Sequence, residues 1–146
     1  MDIKVKIFDD LNIKELYEIL SLRSEIFVVE QDCVYQDIDF KDQKAIHVCG
    51  YLNNELVAYT RIFGPGDYFE DSSIGRVLVK ENKRGLQLGH VILKESINCI
   101  KENFNTENIV ISAQTYLKSF YQSHGFEFTG KEYLEDGIPH IEMIYT

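Results

Sequence analysis

Cysteine is scarce in this chain. Cys33, Cys49 and Cys99 are an odd set with no C-x-x-C spacing, which argues against a disulfide framework or a thiolate zinc site and fits reduced thiols in the cytoplasm. The scattered His and Asp residues fall at no metal-ligating spacing, so no metal is expected. Basic residues are outnumbered: 15 Lys and Arg stand against 24 Asp and Glu, a net charge of −9, which repels phosphate polymers and argues against nucleic acid as a partner. No apolar run approaches the ~20 residues that cross a bilayer, and Met1-Asp2-Ile3-Lys4 lacks an apolar leader core. The expectation is therefore a soluble cytoplasmic protein with no membrane partner. Internal repeats, low-complexity tracts and linkers are missing too.

What is present is 146 residues, 45% hydrophobic and 27% charged, which suits one globular domain spanning residues 1–146. A domain near this length removes roughly 68–70% of its unfolded surface from water, enough to fold without staples. Ile3, Val5 and Ile7 alternate with lysines as in a half-buried strand. Asn12 with Glu15 forms a capping-box pattern ahead of Ile13, Leu16, Tyr17 and Leu20, predicting a helix that continues towards Phe27. From Asp32 to Lys44 periodicity fails and aspartates crowd a long acidic loop.

Residues 45–52 and 55–63 read as strands joined by Asn53-Asn54, a tight-hairpin pair. Gly64-Pro65-Gly66-Asp67 then breaks the chain. Residues 74–79 predict a buried strand, 86–104 a long amphipathic helix, and Ile109-Val110-Ile111 a central strand joined to the former by a right-handed parallel crossover. A short helix over 117–124 stops at Gly125, and strands 126–133 and 140–145 flank a turn at Asp136-Gly137, with Pro139 just before the last strand. The fold class is α/β with a mixed sheet.

The chemistry concentrates after Val77-Leu78-Val79, where Lys83-Arg84-Gly85-Leu86-Gln87-Leu88-Gly89-His90 opens the long helix. A strand feeding a glycine-bearing turn into a helix presents free backbone N–H groups at its positive end, a seat for a pyrophosphate, and Arg84 adds a fixed cation. By itself this pattern is equally an ordinary capped turn. Neither G-x-x-x-x-G-K-[ST] nor G-x-G-x-x-G occurs.

The strand plus Arg84-x-x-Gln87-x-Gly89 resembles the acetyl-CoA-binding [QR]-x-x-G-x-[GA] motif of the GNAT superfamily of N-acetyltransferases. Phe120-Tyr121-Gln122-Ser123-His124-Gly125-Phe126 is similar to that superfamily's F-Y-x-x-x-G-F segment. Leu22–Gln31, Tyr35–Asp39, Ile74–Val77 and Glu135–His140 narrow the resemblance to the ElaA-like group, over about Leu16 to Met143. At Gln87 the chain departs from the glycine most of the superfamily carries.

The resemblance implies a strongly bent mixed sheet flanked by helices, in which strands 74–79 and 108–113 splay to admit the pantetheine arm of acetyl-CoA. Val77, Leu78 and Val79 would offer backbone groups to that arm, and Arg84, Gly85, Gln87, Leu88, Gly89 and His90 would hold the pyrophosphate. It implies direct acyl transfer to an uncharged amine in a ternary complex, with a backbone N–H near Val77 or Leu78 on the oxyanion and Tyr121 giving a proton to the leaving sulfur. Without the resemblance, Tyr121 reads as a core aromatic.

An ammonium substrate must first lose a proton, and Glu30, His47, Asp37 and His140 are the available bases, with Glu30 and His140 placed in the catalytic set. Glu30 reads equally as a salt-bridged helix end, and His140 as a hydrogen-bonded structural histidine. Arg76, within an apolar strand, needs an anion, either from the Asp37/Asp39 loop or from a substrate carboxylate. Gln31, Tyr35, Asp37, Asp39 and Arg76 form the expected substrate-binding set, the acidic loop steering a cationic amine. Its alternative is a solvated charge run. The acceptor is expected to be a small amine or a protein amino group, and a homodimer is compatible with the resemblance. A non-catalytic acyl-CoA sensor remains the alternative on the same fold.

Overall fold

Local signals at the amino terminus act as read. Strand β1 (Asp2–Ile7) is an edge strand paired only to β2 (Ile46–Leu52), so Ile3 is half-buried while Val5 and Ile7 stay exposed. Asn12 then caps α1 (Ile13–Arg23): its side chain accepts from the Glu15 N–H at 2.8 Å, and the Glu15 carboxylate accepts from the Asn12 N–H at 2.9 Å. The helix does not stop at Phe27. It continues as a π-helical segment, Ser24–Glu30, which carries Glu30 and Gln31 to the sheet.

The computed structural model describes all residues, Met1–Thr146. After β2 come β3 (Glu55–Phe63), β4 (Ser72–Val79), α2 (Leu88–Phe104), β5 (Ile109–Gln114), α3 (Lys118–Gln122), β6 (Glu127–Glu135) and β7 (Ile138–Tyr145). They form one seven-stranded sheet ordered β1-β2-β3-β4-β5-β7-β6, antiparallel except between β4 and β5. Both expected tight hairpins form, with Asn53 and Asn54 at φ 50° and 64°, and Asp136 and Gly137 at 51° and 77°. Pro139 lies inside β7. It is tolerated there because β5 pairs with β7 only from His140 onward, so the missing N–H faces no strand.

Strand β3 is buried along nearly its whole length because helices cover both faces. On one side α2 packs Ile92, Leu93, Ile97 and Ile100 against Ala58, Ile62, Ile74, Ile109 and Ile111. On the other, α1 and its π-helical extension pack Ile19, Leu22, Ile26 and Phe27 against Leu56, Tyr59 and Leu78. No helix is long and apolar enough to cross a membrane.

Candidate active site

Strands β4 and β5 pair at two positions, Ser72 with Ile109 and Ser73 with Val110, and then separate. The splay opens a cleft of about 520 Å³ that reaches from the turn before α2 to the tip of the β6–β7 hairpin. Val77, Leu78 and Val79 form one wall. Against β3 the register jumps from Arg61–Gly75 to Tyr59–Leu78, a bulge that leaves Arg76 and Val77 without a β3 partner. Arg76 takes φ 50° there, a conformation that costs a side-chain-bearing residue about 1–2 kcal/mol. Its guanidinium is anchored in return: Nε donates to Asp37 Oδ1 at 2.7 Å, Nη2 to the Asp37 carbonyl at 3.0 Å, and the group lies 5.5 Å from the Tyr35 ring centre.

The start of α2 is left open. Gln87, at φ 63°, makes no side-chain cap, and the first turn carries no acidic residue. The amides of Leu88, Gly89 and His90 therefore point out of the helix unsatisfied by a cap, and Gly85 precedes them at φ 89°. Gln87 occupies a left-handed position, the physical reason for glycine at this point of the motif. A Cβ at Gly89 would sit 3.4 Å from the Phe120 ring, ordinary contact, so alanine also fits. The His90 ring turns away to His124, with Nδ1 2.8 Å from Nε2, leaving its backbone N–H at the helix end.

Arg84 and Glu30 both line the cleft but face each other. Arg84 Nη1 lies 2.8 Å from Glu30 Oε2, Nη2 donates to Oε1 at 3.0 Å, and Nε donates to the Val79 carbonyl at 3.1 Å. Deeper in, Tyr121 is almost fully buried, and burial raises the pKa of its phenol above the ordinary value, so it keeps its proton. Gln31 and Gln114 exchange amide hydrogen bonds of 3.2 and 3.4 Å across the cleft.

The acidic loop behaves otherwise than expected. Asp37 and Asp39 are not among the residues lining the cleft. Asp37 Oδ2 accepts from Arg23 Nε at 2.9 Å, Asp39 accepts from both terminal nitrogens of Arg61 at 2.8 and 2.9 Å, and Asp42 bridges Arg23 and Arg61 at 2.7 and 2.9 Å. Burial opposes ionisation of Asp39 and Asp42, but the guanidiniums outweigh it and hold both carboxyls below the usual range. The charge of Asp37, Asp39 and Asp42 is neutralised inside the fold, so these carboxylates do not steer an amine. Arg76 takes the internal anion of the two alternatives. His47 is fully buried between the Tyr59 hydroxyl at 2.7 Å and the Asp42 carbonyl at 3.0 Å, outside the cleft, so it is no base for the substrate.

His140 does line the cleft. Its Nδ1 lies 2.7 Å from the Ile138 carbonyl and its Nε2 3.3 Å from Glu135 Oε2. Sequence reasoning missed three partners around it: the Tyr133 hydroxyl donates to Ser112 Oγ at 2.6 Å, and Ser112 donates to Glu135 Oε1 at 3.3 Å. The signal was present in β5, where the polar Ser112 and Gln114 alternate with buried Ile111 and Ala113. Also missed were the aromatic side chains Phe63, Tyr68 and Phe69, which line the cleft. Of the cysteines, Cys33 alone lines the cleft, its thiol donating to the Asp136 carbonyl at 3.4 Å; burial pushes Cys49 up to about 12.

The Acetyltransferase (GNAT) domain family matches residues 18–146. Protein ElaA of Escherichia coli (strain K12) is 42% identical over 136 residues, 92% of this chain and 89% of that protein. The crystal structure of Escherichia coli ElaA superposes with a TM-score of 0.93 at 38% identity, covering 99% of each chain. An acyl-CoA N-acyltransferase from Pseudomonas aeruginosa superposes with a TM-score of 0.93 at 36% identity over 100% of both chains. With the splayed strands, the bulge and the open helix start all in place, the chain belongs to the GNAT acetyltransferase family, in its ElaA-like group.

Proposed function

We propose that the protein transfers an acyl group, acetyl in the first instance, from acyl-CoA to a primary amine by direct attack in a ternary complex. The observation that carries this reading is the continuity of the cleft. An unpartnered stretch of β4 backbone leads from the uncapped, glycine-flanked start of α2 to a buried, protonated tyrosine. The helix end suits a pyrophosphate. The β4 edge suits the pantetheine amides, which would pair with Val77 and Val79 as an added strand. Backbone N–H groups near Val77 and Leu78 would stabilise the oxyanion, and Tyr121 would supply the proton for the departing thiolate.

A thermal-unfolding titration with acetyl-CoA, followed by turnover with an amine panel, tests the reading. Ligand at a hundred times its dissociation constant stabilises the native state by about 2.7 kcal/mol, which for this length is a rise of roughly 5–10 °C. Tyr121→Phe keeps that rise and lowers kcat about 100-fold, the low end for a lost general acid. A rise with no turnover on any amine, thiol labelling excluded, would instead favour an acyl-CoA sensor. Burst kinetics with an acylated Cys33 would overturn direct transfer.

A further inference from the structure

The carboxylates around the cleft are not equivalent. Glu30 is bound by Arg84, and Asp37, Asp39 and Asp42 by Arg23, Arg61 and Arg76. Glu135, at the tip of the β6–β7 hairpin, lines the cleft with 48% of its side chain exposed and has no lysine or arginine in ion-pair reach. It is nonetheless held in place, by Ser112 on Oε1 and His140 beside Oε2. The Ile138 carbonyl can only accept, so the His140 Nδ1 carries a proton and Nε2 is the ring nitrogen left to face Glu135. Nε2 and Glu135 Oε2 are 3.3 Å apart, a distance at which one proton can be shared between them.

The same cleft has an apolar wall. Phe63 and Tyr68 stack at 4.9 Å, and Phe69 meets Tyr68 edge-on at 4.8 Å. The wall and the hairpin tip line one and the same cleft. Aromatic rings accept an aromatic or bulky apolar body, and their faces attract a cation. A polyamine would need a row of free carboxylates, and Asp37, Asp39 and Asp42 are already paired with arginines.

Resting on the acyl-transfer reading above, we propose that the acceptor is a small primary amine with an aromatic body, its ammonium received by Glu135 and relieved of one proton through Glu135 to His140. The N–H bond of the ammonium breaks, an N–H bond forms at His140 Nε2, and the neutral amine attacks the thioester carbonyl. As the adduct collapses, the C–S bond breaks, Tyr121 gives its proton to the departing thiolate, and the second amine proton passes to the resulting Tyr121 phenolate, so the phenol is restored and the one surplus proton is the one held by His140. Ser112 and Tyr133 are positioning residues that hold the carboxylate towards the cleft.

Initial rates with acetyl-CoA and phenethylamine, spermidine or a tetrapeptide test this. Phenethylamine is expected to exceed the other two in kcat/KM by about tenfold or more. Glu135→Gln raises the KM for phenethylamine about tenfold, as for a lost charge-assisted hydrogen bond, and leaves the KM for acetyl-CoA unchanged. His140→Asn lowers kcat at pH 7, and the deficit shrinks as pH rises and the free amine supplies itself. Preference for spermidine or the tetrapeptide, or an unchanged amine KM in Glu135→Gln, overturns the proposal and leaves acyl transfer standing. Bound acetyl-CoA with no acetylation of any amine overturns both.

Discussion

Two acidic regions stand near the cleft, the 32–44 loop and the tip of the β6–β7 hairpin; the buried carboxylates of the loop are paired with arginines, and Glu135 of the hairpin is not. The loop carries Asp37, Asp39 and Asp42, but Arg23, Arg61 and Arg76 close on them from α1, β3 and β4. The hairpin carries Glu135, whose neighbours are a hydroxyl and an imidazole. Local charge density therefore misleads about function. What decides it is whether cations from distant segments neutralise the carboxylates, and in this fold they convert the loop into a scaffold that fixes the β4 bulge through Arg76.

The largest effect expected from breaking this contrast is on stability. Asp42→Ala leaves Arg23 and Arg61 short of an anion in a buried site. Removing one partner of a buried pair costs about 3–5 kcal/mol, which urea unfolding would read directly. Glu135→Ala, on the exposed side, is expected to change stability by under about 0.5 kcal/mol. Equal losses at the two positions would erase the distinction between scaffold and site.

A smaller effect comes from pH. Burial, ahead of the repulsion from Arg23 and Arg61, lowers the pKa of His47 in the folded state. Below about 6.5 the unfolded chain takes up a proton that the folded one refuses, so stability falls as pH falls. Asp39 and Asp42, held low by their arginines, act in the same direction lower down. Their contribution is present above the ordinary aspartate range and is lost as pH drops through their folded values. A melting temperature that stays flat between pH 7 and pH 3 would contradict the network's role.

The features legible in the sequence are those set by near neighbours. The Asn12–Glu15 box, the Asn53-Asn54 and Asp136-Gly137 hairpins and the glycine turn into α2 each depend on a few consecutive residues. The splayed cleft was legible through family resemblance, not through periodicity. The fate of the acidic loop was not legible, because Asp37 meets Arg23 and Arg76 across 14 and 39 positions of sequence. The π-helical extension was also hidden: its apolar spacing differs little from that of an α-helix, yet it is what brings Glu30 against Arg84.

That last contact offers the smallest and most discriminating test. Glu30 and Arg84 are both partly exposed, at 28% and 44% of their side chains, and they join the two walls of the cleft where a pyrophosphate would lie. An exposed ion pair is worth about 0.2–1 kcal/mol, so breaking it frees Arg84 at little cost to the fold. Glu30→Gln is then expected to tighten acetyl-CoA binding by up to about fivefold, the same energy expressed as affinity, with kcat within about twofold of the wild type. If Glu30 were instead the base for the acceptor, its removal would lower kcat about 100-fold or more and leave acetyl-CoA affinity unchanged. Calorimetric titration beside steady-state rates separates the two outcomes, because a clamp on Arg84 and a base for the amine predict movement in different constants. A collapse in kcat would return the proton-accepting role from the hairpin tip to the end of the first helix.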